Sequence, residues 1–157
     1  MKNLKNFSVL VDNSGASQLS FCVITEINRL TEIRPEIDAI LFYENQHKNC
    51  VPANFSTMQI SEAWGQEGPI IATSFSTANK LASFPSEKKF FYVWDLDWIR
   101  NSYRYESLSQ VYTDESLNLI ARSESHKKAI ENAFNREISH VVPDFNINEI
   151  LSILEEN

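Results

Sequence analysis

Glycine is scarce in this chain, with three in 157 residues, at Gly15, Gly65 and Gly68. The dinucleotide fingerprint G-x-G-x-x-G and the phosphate loop G-x-x-x-x-G-K-[ST] both need closely spaced glycines. Neither pattern occurs, so nucleotide binding of those two kinds is disfavoured. Cys22 and Cys50 are too few for a disulfide framework and have no metal-ligand spacing, which leaves them as free thiols of a reducing compartment. Basic charge is also short, 14 Lys and Arg against 21 Asp and Glu, for a net charge of −7. Without a basic stripe the chain is unsuited to nucleic-acid backbone. The doublets Lys88-Lys89 and Lys127-Lys128 read as solvated flanks. No long apolar run follows the charged start Met1–Asn6, so neither a signal peptide nor a membrane span is expected, and the reading is a cytoplasmic protein. His47, His126 and His140 have no metal-ligand spacing, and no G-x-S-x-G turn or patterned cysteine suggests a nucleophile, so all three read as structural or solvated. No metal or cofactor is expected.

What the chain does contain is a regular alternation. Phe7–Val11 is a short apolar run ended by the turn-rich Asp12-Asn13-Ser14-Gly15-Ala16-Ser17. Ser17 is a helix N-cap, and Leu19, Val23, Ile27 and Leu30 make one buried stripe, widened by Phe21 and Cys22. Pro35 stops that helix, and Ile37–Tyr43 makes a second strand. After a polar loop, a third strand is placed near Phe55 to Ile60. Ile70–Thr73 is a fourth, with Ser74 or Ser76 capping a helix through Leu81 to Phe84. Phe90–Trp94 follows, then an irregular segment Ile99–Tyr105 and a short helix over Glu106–Tyr112. Leu117–Ala121 is the next strand, Ser123 starts a helix containing Ile130, Ala133 and Phe134, and Ile138–Val142 is the last strand. Asn146 caps a final helix with Ile147, Ile150, Leu151 and Leu154 on one face and Glu149 at the capping-box position. Such alternation predicts one Rossmann-like α/β domain over residues 1–157, a mostly parallel sheet with helices on both faces.

Phe90–Trp94 is the run around which the rest is arranged. A short, wholly apolar strand bounded by charge is buried on both faces of a parallel sheet. Ligands in such sheets sit beyond the carboxyl ends of the strands, where Asp95 falls. Asp95-Leu96-Asp97 admits a divalent-cation reading, because hard cations take carboxylate oxygens. It admits also a plain one, with Asp95 as a strand-end carboxylate and Asp97 capping a short helix toward Arg100. A haloacid-dehalogenase-like nucleophile motif is rejected, since it belongs after the first strand and Ile99 stands where Thr or Val is needed. Trp94 and Trp98 could stack on a sugar ring or simply pack. Asn13 and Gly15, in the first strand-to-helix turn, lie where backbone amides favour anions and a missing Cβ allows close approach. A tight turn needing one glycine accounts for the same residues.

The second half resembles the N-terminal half of GT-B glycosyltransferases. The likeness rests on Ile70–Ala78, on Phe90–Asp95, on Leu119–Lys127 and on Ile138–Phe145, and it covers about residues 68 to 146. The resemblance implies transfer of a sugar from a nucleotide sugar to an acceptor hydroxyl. Its acceptor would be a small molecule or a glycan, with a second chain supplying the donor-binding domain. It places a cleft at Asn13, Gly15, Thr73, Ser74, Asp95, Ser123 and Glu124. Asp95 would act there as general base, since an ordinary carboxylate (pKa about 4) is ionised at pH 7 and can accept the proton in the transition state. Two other readings stand beside it. The Asp-x-Asp tripeptide is similar to that of metal-dependent GT-A transferases, which would use Asp95 and Asp97. A non-catalytic partner domain would instead present the tyrosines Tyr103, Tyr105 and Tyr112.

Overall fold

A computed structural model describes residues 4–156. The first apolar run forms strand β1 over Asn6–Asn13 and the second forms β2 over Asp38–Asn45. The third, Ser56–Gln59, is β3, and Ile70–Ala72 is β4. Lys89–Val93, Leu117–Ala121 and His140–Val141 are β5, β6 and β7. Every ladder among them is parallel, and the sheet order is β3-β2-β1-β4-β5-β6-β7. The chain therefore builds outward from β1 in one direction and then, from β4, in the other. Loops leaving β1 and β4 part company there and open a crevice, the topological switch point of a doubly wound sheet.

Helix α1 spans Gln18–Ile33, with the Ser17 Oγ accepting the Ser20 N–H at 3.0 Å as the sequence predicts. Helix α2 spans Phe75–Ala82, where Ser74 and Thr77 form a reciprocal capping box. The segment after β5 is more ordered than expected: α3 is a single turn over Asp97–Arg100, a 3₁₀ turn covers Ser102–Arg104, and α4 runs over Tyr105–Tyr112. Helix α5 covers Glu124–Phe134 and α6 covers Ile147–Glu156. At the start of α6, the Asn146 Oδ1 accepts the N–H groups of Asn148 at 3.1 Å and Glu149 at 3.4 Å, which makes Asn146 the cap the sequence indicates.

Alternate strand residues feed two cores. Phe7, Val9 and Val11 of β1 join Phe90 and Tyr92 of β5 beneath α1 and α6. Leu10 joins Phe91 and Val93 on the opposite face, beneath α2, α4 and α5. Burying each such side chain contributes about 1.5–3 kcal/mol. This all-parallel sheet with helices on both faces is the predicted Rossmann-like domain.

Several local expectations need correction. Phe21 does not widen the α1 stripe: it is 52% exposed, while Ser20 and Ile24 are buried. Lys89 is no solvated flank but the buried first residue of β5, its Nζ donating to the Ala82 carbonyl at 2.8 Å. A long side chain can bury its stem while its ammonium reaches a carbonyl. The last strand is two residues long instead of five, because the Ile138 N–H goes to the Glu131 carboxylate at 2.9 Å and Pro143 follows closely. Tyr112 is fully buried against Phe91, Trp98 and Phe134, so it belongs to the core and not to a surface cluster with Tyr103 and Tyr105.

Behind β5, the Tyr92 hydroxyl donates to the Val142 carbonyl at 2.6 Å and accepts the Phe145 N–H at 3.0 Å. Asp144 and Phe145 both have positive φ, 47° and 57°. That conformation is costly for a bulky side chain. Tyr92 and the buried Phe145 ring hold the turn there, so α6 folds back onto α1.

Candidate functional site

Three strand ends converge at the switch point. The end of β1 carries Asp12 and Asn13, β4 runs out into Thr73 and Ser74, and β5 into Trp94 and Asp95. Between the end of β1, the first turn of α1 and the end of β5 lies a cavity of about 350 Å³, lined by Asp12, Asn13, Ser17, Gln18, Trp94 and Asp95 among others. The N–H groups of Gln18 and Leu19, which also line it, belong to a first helical turn that has no intrahelical acceptors for them. A smaller cavity of about 180 Å³ lies on the other side of Asp12, lined by Ser74, Ser76, Asp97, Asn101 and Arg104. Asp12 is the shared wall.

The charges around Asp12 are layered. The Ser74 Oγ donates to its Oδ1 at 2.7 Å. Glu44, at the end of β2, pairs with Lys80 at 2.8 Å and accepts the Ser76 hydroxyl at 3.0 Å. Crowding by protein raises the Asp12 pKa, Glu44 adds to the rise, and the Ser74 hydroxyl and Lys80 oppose it. Asp97 is pushed up further, to about 6, first by burial and then by Asp95 and Asp12, against the Phe75 N–H and Arg100. Burial, together with the carboxylates of Asp97 and Asp95, also raises the Tyr112 phenol. Asp97 thus sits against two further aspartates, and both Asp97 and Asp12 are held toward protonation.

Asp95 and Asn13 of the predicted residues line the larger cavity, and Ser74 lines the smaller. The other predicted residues do different work. Asn13 closes its own turn, accepting the Gly15 N–H at 3.0 Å. A Cβ on Gly15 would lie 2.7 Å from the His47 Cβ, so the bare backbone makes room for the β2 loop and is no wall of either cavity. Ser14 fastens the same contact, donating to the His47 carbonyl at 2.9 Å. Thr73 is buried, its hydroxyl donating to the Leu10 carbonyl at 2.7 Å, which ties β4 to β1. Ser123 caps α5, accepting the His126 N–H at 3.2 Å, and Glu124 is exposed in the first turn beyond it. Neither lines the two cavities.

The tryptophans are packed as the plainer reading had them. The face of Trp94 carries the Arg122 guanidinium 3.7 Å from its centroid, and Trp98 meets Tyr112 and Phe134 edge-on. Asp97 does not cap α3; it is the first residue within that turn, after Leu96. Asp95 and Asp97 line different cavities, and among the described residues no three His, Cys, Asp or Glu side chains are gathered so as to hold a metal ion. Asp12, Ser17, Gln18, Asn101 and Arg104 are site residues that sequence reasoning did not select. For Asp12 a signal existed: it directly follows the first apolar run, Phe7–Val11, just as Asp95 follows the central one, Phe90–Trp94.

Fold and cleft together define a Rossmann-like α/β domain with a carboxylate-lined polar cleft at its switch point. No family model matches the sequence, and no curated protein or solved structure matches it significantly. Among the described residues no helix is long and apolar enough to cross a membrane.

Proposed function

We propose that the chain is the acceptor-side domain of a glycosyltransferase-like system, binding a hydroxylated acceptor in the larger cavity. The observation that carries this reading is the composition of that cavity. It sets the Asp12 and Asp95 carboxylates, the Asn13 amide and the Ser17 hydroxyl around about 350 Å³, with no lysine or arginine on its lining. Carboxylates and amides take hydrogen bonds from vicinal hydroxyls. A nucleotide diphosphate would instead meet the Asp12 and Asp95 carboxyl groups, with the first-turn N–H groups of α1 and no cationic side chain to offset them. The donor is therefore assigned to a second chain, and Asp95 to the general base that accepts the acceptor proton as the new glycosidic bond forms. Asp12 holds the acceptor from the opposite wall.

A thermal-shift panel tests the reading, using the purified chain with mono- and disaccharides and with UDP, GDP and ADP sugars, each with and without Mn²⁺. Saccharides at ~100 times their dissociation constants are expected to stabilise by about 2.7 kcal/mol, with Asp95→Asn weakening the shift. A nucleotide shift that needs Mn²⁺ and is lost in Asp97→Ala would replace this reading with the metal-dependent one. No shift with any of them would favour a partner domain without catalysis.

A further inference from the structure

An acceptor seated in the larger cavity leaves the smaller one without a role, yet the smaller one has the lining of a binding subsite. Asp12 at the end of β1, the first turn of α2, and Asp97, Asn101 and Arg104 from the turns after β5 build it together. The Ser74 hydroxyl is engaged by Asp12 and the Ser76 hydroxyl by Glu44. Two stronger donors are not engaged. Among the described residues the Asn101 side chain has no hydrogen-bond partner, and the Arg104 guanidinium has neither a hydrogen bond nor an ion pair, only the Tyr103 ring 5.6 Å away. Beside them stand the Asp12 and Asp97 carboxyl groups as acceptors, and Phe75, half-buried, as an aromatic surface. Such a set suits a sugar, whose hydroxyls bridge donors and acceptors while its C–H face lies on a ring.

We propose that the smaller cavity is a second sugar subsite, so that the acceptor is a glycan of at least two residues lying across Asp12. The inference rests on the acceptor reading of the larger cavity and adds the length of the ligand. Size supports it. At about 180 Å³ the smaller cavity falls below the range of about 300–1,000 Å³ usual for a whole ligand, so it suits part of one. Its neighbour, at about 350 Å³, lies at the low end of that range, and Asp12 lines both. The Ser74 hydroxyl takes only Oδ1 of Asp12, and a carboxylate has further acceptor positions for hydroxyls on either side. One sugar thus presents its hydroxyl to Asp95, and the next is held by Asn101, Arg104 and Asp97. A phosphate is disfavoured in the second place, because one guanidinium there is set against two carboxyl groups.

Isothermal titration calorimetry of the purified chain tests this, comparing glucose, galactose and N-acetylglucosamine with maltose, cellobiose, lactose and chitobiose. For a sugar that binds, a disaccharide containing it is expected to bind at least about tenfold more tightly. Asn101→Ala and Arg104→Ala, singly and together, reduce that gain and leave the monosaccharide affinity within about twofold. Asp95→Asn weakens both. Neither Asn101 nor Arg104 belongs to either core, and circular dichroism verifies that the variants fold. Equal affinity for mono- and disaccharides overturns the second subsite while the acceptor reading stands. So does a gain that survives the combined variant. Binding by none of these sugars overturns the acceptor reading itself, and the second subsite with it.

Discussion

Two strand-to-helix turns in this molecule are built alike and placed differently. After β4, Ser74 caps α2 by accepting the Thr77 N–H at 3.1 Å; after β6, Ser123 caps α5 by accepting the His126 N–H at 3.2 Å. Both lie at carboxyl ends of parallel strands. Only the first borders the switch point, where the Ser74 hydroxyl also reaches Asp12 and lines a cavity. Position in the strand order, which no local motif encodes, decides which of two equivalent turns faces a ligand-sized space.

The comparison can be broken or sharpened by substitution, beginning with the largest effect. Gly15→Val pushes a branched side chain into the His47 contact that packs the β1 turn, at a cost of about 2–3 kcal/mol in chemical denaturation. A cost near zero would mean that the turn is open, as a ligand-binding glycine requires. Tyr92→Phe leaves the Val142 carbonyl and Phe145 N–H without their partner and should cost about 1–3 kcal/mol, with exchange accelerated at the start of α6.

Asp97 gives the pH test. Its folded pKa of about 6 lies above the ordinary carboxylate value, so the native state holds this proton more tightly than the unfolded chain. Its contribution is stabilising at low pH and is lost as pH rises from about 4 through 6. Asp97→Asn should therefore stabilise the protein by about 1–2 kcal/mol at pH 7.5 and by little at pH 4, read as paired melting curves. A gain independent of pH would contradict the assigned cause.

The caps give the finest comparison. Ser74→Ala and Ser123→Ala should each cost about 1 kcal/mol through lost capping. Only Ser74→Ala should also raise the Asp12 pKa, because it alone removes a donor from that carboxylate. Carbon-detected NMR titration of the Asp12 carboxyl would separate them.

These contrasts mark what a sequence can disclose. The alternation of runs such as Phe90–Trp94 with capped periodic stretches such as Ser17–Leu30 made the α/β fold legible, since each signal is local. Asp95 was legible because it directly follows the wholly apolar run Phe90–Trp94. Asp12 was missed although it follows the apolar run Phe7–Val11 in the same way, because its meaning depends on β4 lying beside β1 and β5 beyond it. Which of the two readings of Gly15 applies was not legible for a related reason: its neighbour His47 is on another loop and supplies a constraint from across the fold. Ser123 and Glu124 carried the right local geometry at a strand end without a cavity.

A ¹⁵N-resolved NMR titration with the saccharide panel tests the central claim most directly. Ligand-dependent shifts are predicted at Asn13, Gln18, Leu19 and Asp95, with Ser123 to His126 unmoved and the response lost in a variant combining Asp12→Asn with Asp95→Asn. Shifts at the Ser123 turn in place of the switch point, or an unchanged response in the double variant, would contradict it.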